Sequence, residues 1–95
     1  MQMKSMFLLA ALEYVFMKGT DFVESYTQEN MDEVEAFVKK LLPGENFDDL
    51  GWGVVVSFMP KLFEVARTLI DKIDGVSSEE RLALMIGAVR EISRG

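Results

Sequence analysis

Cysteine and histidine are absent from the chain, and its 95 residues include only two prolines and one tryptophan. Without cysteine there is no disulfide and no thiolate ligand, and without histidine there is no imidazole ligand for a transition metal. The same two gaps remove the side chains that most often serve as base or nucleophile near neutral pH. Serine, tyrosine, lysine and carboxylates remain, but no G-x-S-x-G elbow and no P-loop organises them. Gly51-Trp52-Gly53 is too short to cradle a phosphate, and it follows Asp48 and Asp49, which would repel one. Those paired carboxylates could in principle do acid–base work, but that chemistry needs a walled cleft. The expectation is a protein that is not an enzyme and carries no cofactor.

Hard-metal binding fares no better. Asp71, Asp74, Glu79 and Glu80 surround a turn. A calcium loop with Gly75 at its sixth position would nevertheless need Ile70, Lys72 and Arg81 as ligands. No metal site is expected. Also missing is any apolar run of the roughly 18 residues that a membrane span requires. Lys4 precedes the apolar stretch 6–12 much as in a signal peptide, but Glu13 interrupts it and no small-residue cleavage site follows. A cytoplasmic protein is expected. A peripheral membrane role is the weakest reading, because the polar face of the first helix is poor in Lys and Arg.

Basic residues are scarce as well, ten against sixteen acids, for a net charge of −6. Residues 19–60 hold nine acids against Lys39 and Lys40 alone. Direct nucleic-acid binding needs clustered bases and is not expected. An acidic surface formed by Glu29, Asp32, Glu33, Glu35, Asp48 and Asp49 suits a basic partner protein instead. In that reading the chain is a small inhibitor or adaptor that occupies a basic, nucleic-acid-binding groove.

What the chain has in abundance is apolar surface: 49% of its residues, with seven Met and seven Phe. Four main helical segments follow from periodicity and caps. The first runs over 3–18 and stops at Gly19. Between Met6 and Met17 only Glu13 is polar, so this helix must be covered on more than one face. Asp21 and Glu24 have capping-box spacing and could open a short turn. A second helix spans 28–42, with Met31, Val34, Phe37, Val38 and Leu41 as its apolar stripe, and Pro43-Gly44 stops it. A third segment covers 48–57 and 59–74, kinked or broken at Pro60. Gly53-Val54-Val55-Val56 could alternatively be a strand, but no second strand exists to pair with it. Ser77 and Glu80 form a capping box for the last helix, 78–93, whose expected buried stripe is Leu82, Met85, Ile86, Val89 and Ile92. The fold class is all-α, a compact bundle of four to five helices in a single domain, 1–95.

Asn46-Phe47-Asp48-Asp49-Leu50-Gly51 resembles the approach to the prosthetic-group serine of acyl carrier proteins. Trp52-Gly53-Val54 then stands where the Asp-Ser-Leu signature belongs, so the chain is not assigned to that family.

A protein–protein interaction domain is the expected function, most simply a homodimer. The expected self-association interface is Met3, Met6, Phe7, Ala10, Tyr14 and Met17 on the first helix. The argument is that a 95-residue chain buries only about 60–65% of its unfolded surface and cannot cover so oily a helix alone. Trp52, between two glycines, is either a candidate partner anchor or a plug for the end of the bundle. Gly87 and Ala83 have the small-x-x-x-small spacing that lets another helix approach closely.

Overall fold

Apolar residues on nearly every side of one helix can be satisfied only by neighbours on nearly every side, and the rest of the chain supplies them. The structure, a computed structural model, describes residues 3–42 and 51–94. Helix α1, Met3–Lys18, contacts each of the other five helices of the described residues. Leu8, Ala11, Leu12 and Val15 are wholly inaccessible, and Phe7, Ala10 and Phe16 are buried beside them. This overturns the premise that α1 has too much apolar surface for its own chain to cover. Ala10 and Ala11, both buried, are small enough to let neighbouring helices come close.

Gly19 ends α1 with φ +96°, a left-handed conformation that glycine adopts without the Cβ penalty. The chain turns there into α2, Thr20–Val23, whose Phe22 and Val23 enter the core. Asp21 does not cap this turn: Gly19 is the N-cap, and no side chain bonds to it. Arg67 reaches across from α5 to donate to the Val23 carbonyl at 3.2 Å.

Helix α3, Gln28–Leu41, starts where a hydroxyl can hold an unpaired amide: the Asn30 N–H donates to Thr27 Oγ1 at 3.1 Å. The Asn30 side-chain amide donates back to the carbonyls of Phe22 and Ser25, which fastens the link between α2 and α3. Met31, Val34 and Val38 are buried as the stripe requires, Phe37 is half-buried, and Leu41 faces out. Lys39 and Lys40 oppose the dipole at its end.

The segment around Pro60 is broken, not kinked. Helix α4, Trp52–Val56, is followed by a turn and then by α5, Met59–Leu69. Pro60 lies in the first turn of α5, where a backbone N–H would have no partner within the helix. Gly53–Val56 is therefore helical, and the strand alternative fails; residues 48–50 lie outside the described residues. Helix α5 also ends at Leu69, short of the expected 74. There the Lys72 N–H turns back to the Leu69 carbonyl at 2.9 Å, tightening the backbone into turns that lead to Gly75.

Helix α6, Ser78–Ser93, begins as expected, with the Glu80 N–H donating to Ser77 Oγ at 3.2 Å. Its buried face differs from the expected one. Met85, Ala88, Val89 and Ile92 are buried, Ile86 is half-covered, and Leu82 is 53% exposed. Arg81 faces Glu13 of α1 and shares a line with Met85, Ala88 and Ile92 at i, i+4, i+7 and i+11. Leu82 lies on nearly the same side of the helix as buried Val89, seven positions on, so its exposure reflects its place near the start of α6 and not a turning of the whole helix.

The Cα radius of gyration is 12.5 Å, close to the ~12 Å of a folded domain of this length. Truncating Leu12 to Ala should cost about 2–5 kcal/mol, because the cavity opens where α1 is enclosed. Met17→Ala on the same helix should change stability by no more than about 0.5 kcal/mol. Urea unfolding of the two variants tests the contrast; equal losses would mean that α1 is not enclosed as described.

Candidate interaction surfaces

Two polar seams bind α1 to its larger neighbours. Towards α3, the Tyr14 hydroxyl donates to Glu33 Oε1 at 3.1 Å, and Lys18 Nζ lies 3.6 Å from the same oxygen. The Tyr14 ring packs edge-on to Phe22 at 5.8 Å and tilted against Phe37 at 4.8 Å. Burial, the hydrogen bond to Glu33 and that residue's negative charge together raise the phenol above its ordinary pKa. Towards α6, Arg81 donates from Nη2 to Glu13 Oε1 at 2.6 Å and from Nη1 to Oε2 at 3.3 Å, a two-pronged bond. The hydrogen bond to Glu13 raises the guanidinium pKa, its negative charge adds to the effect, and burial opposes it.

Between the seams, α1 shows solvent only a thin line. Met6 and Met17 are 37% and 64% exposed at its two ends, with half-covered Glu13 between them. Of the residues expected to form a self-association face, Phe7 and Ala10 are covered by the chain itself, and Tyr14 is half-covered and bonded to α3. The side chain of Met3 lies outside the described residues. Met6, Phe7, Ala10, Tyr14 and Met17 share one stripe of the helix, but it is not an open face, because the chain itself covers its middle and leaves only Met6 and Met17 exposed.

The expected acidic surface is also divided. Glu29 and Asp32 are exposed on α3, with Asp21 and Glu24 exposed nearby in sequence, and none of the four forms an ion pair among the described residues. Asp32 accepts a bond from Gln28 at 2.9 Å. Glu33 is committed to Tyr14 and Lys18, and Glu35 is half-covered. Asp48 and Asp49 lie outside the described residues. Trp52 is no exposed anchor. It is only 6% exposed and stands edge-on to Phe7 with ring centroids 6.4 Å apart, plugging the α1–α4 junction.

The surface that sequence reasoning misplaced is on α6. Leu82 was assigned to the core by its spacing, yet it lies outside together with Ala83 and Gly87. The Ala83–Gly87 spacing was the legible signal. What it lacked was which part of α6 the rest of the chain covers, since that depends on residues distant in sequence.

Among the described residues, no three carboxylates gather in a way that could hold a metal ion. No helix of the described residues is long and apolar enough to cross a membrane. No known family, no curated protein and no solved structure matches the chain.

Tyr14 sets a prediction in pH. Because its folded pKa is raised above 10.0, its contribution to stability is complete below that value and is lost as pH climbs through the folded pKa. Tyr14→Phe should lower stability at pH 7 by about 1 kcal/mol. It should also flatten part of the decline above pH 10. Denaturant titrations from pH 7 to 11 measure both; an unchanged alkaline limb would show that Tyr14 does not titrate in the fold.

Proposed function

We propose that the chain is a non-enzymatic helical interaction module that associates with a second copy of itself. The observation that supports this is the set of large apolar side chains left outside a core that is otherwise well covered. Met17, Val54, Leu82 and Leu41 are each more than half exposed. Single exposed apolar residues are ordinary on any protein surface, so what counts is where they join small residues on a continuous face. The α1 edge offers two methionines eleven positions apart with an ion-paired glutamate between them, which is a discontinuous contact. Self-association must therefore draw on a neighbouring element. Light scattering across a wide concentration range should show a mass rising from 10.8 kDa towards twice that value. A constant monomer mass up to millimolar concentration would remove the reading.

A second reading rests on the unpaired carboxylates Asp21, Glu24, Glu29 and Asp32. Exposed and without bases among the described residues, they project negative charge that would steer a basic protein into contact. Changing all four to their amides should leave the fold intact and weaken capture of a polybasic protein such as a histone, most clearly at low salt. Binding that ignores both salt and these changes would exclude it.

A further inference from the structure

The side of α6 turned away from Met85, Ala88 and Ile92 is open and has its own pattern. Glu79, Leu82, Ala83, Ile86, Gly87 and Arg90 follow at i, i+3, i+4, i+7, i+8 and i+11, the spacing of one helical stripe. Five of them are exposed, and Ile86 is half-covered. A Cβ added at Gly87 would meet nothing within 4 Å, so no neighbour in the fold requires glycine there. Glycine in a helix interior costs about 1 kcal/mol relative to alanine. Its use is unexplained within one copy of the chain.

We propose that this stripe is the self-association face, and that α6 lies antiparallel against α6 of a second copy about a two-fold axis. This rests on the reading that the chain associates with itself and names the surface. The stripe is palindromic in size and charge about the level between Leu84 and Met85. With the axis there, Glu79 stands opposite the partner's Arg90, Leu82 opposite the partner's Gly87, and Ala83 opposite the partner's Ile86. Each bulky side chain meets a small one, and each acid meets a base. A parallel pair would instead set Glu79 against the partner's Glu79 and Arg90 against the partner's Arg90. Charge complementarity selects the antiparallel arrangement, in which the helix dipoles also oppose. Gly87 then supplies the recess for a leucine. The 16 residues of α6 span about 24 Å. One helix pair of that length falls below the ~1,200 Å² typical of permanent complexes, so the dimer is reversible and depends on concentration.

Sedimentation equilibrium of the full chain from micromolar to millimolar concentration tests this. Gly87→Leu should raise the dimer dissociation constant by on the order of tenfold or more. It should not lower the melting temperature of the dilute monomer, because the added side chain meets open space and favours helix. Glu79→Arg and Arg90→Glu should each weaken dimerisation alone, and a 1:1 mixture of the two variants should recover it by pairing unlike charges. If the wild type dimerises but ignores these changes, the α6 face is wrong while self-association stands. If the wild type stays monomeric throughout, both fail, and the stripe is left to solvent or to a different protein.

Discussion

Enclosure of α1 is the constraint from which the rest of the structure follows. A helix with one polar residue between Met6 and Met17 gains most when it is surrounded, and burying each Leu or Phe side chain is worth about 1.5–3 kcal/mol. No single long partner could surround it. The chain instead divides its remaining length into five helices of 4 to 16 residues among the described residues, each of which contacts α1. Interruptions at Gly19, Gly51 and Pro60 are what make the sheath possible, because a continuous helix cannot wrap another. The aromatic contacts among Phe7 and Trp52, Tyr14 and Phe22, and Phe22 and Phe63 lie within that sheath.

Once α1 is central, its few polar groups bond to its neighbours. Glu13 and Tyr14 are consecutive, so they emerge about 100° apart on the helix. One engages α6 through Arg81, and the other engages α3 through Glu33. Both bonds are partly exposed, and their worth as isolated interactions is small. The burial of Met85, Ala88, Val89 and Ile92 outweighs such a bond in holding α6 against the core. The Glu13–Arg81 pair lies beside that packing and is compatible with it.

This changes how a functional surface should be sought in such a protein. The most apolar segment is the least available one, because the chain uses it to fold. The last helix has a modest core face and a patterned outer face that stays exposed. The acidic stretch is open as well, but only in part, since Glu33 is tied to the α1–α3 seam.

Residue order alone was enough to show that the chain is all-helical, where α1, α3 and α6 begin and end, and how Thr27 and Ser77 cap their helices. Those features arise from period, glycine and proline placement and short-range hydrogen bonds, all readable within a few residues. Lack of cysteine and histidine likewise bounded the available chemistry without any coordinates. It took the packed fold to reveal that α1 is covered by its own chain, that Trp52 is a plug, that α5 stops at Leu69, and that Leu82 faces outward. Each of these depends on a contact between residues far apart in sequence, and periodicity gives a helix its stripes without saying which stripe will meet the core.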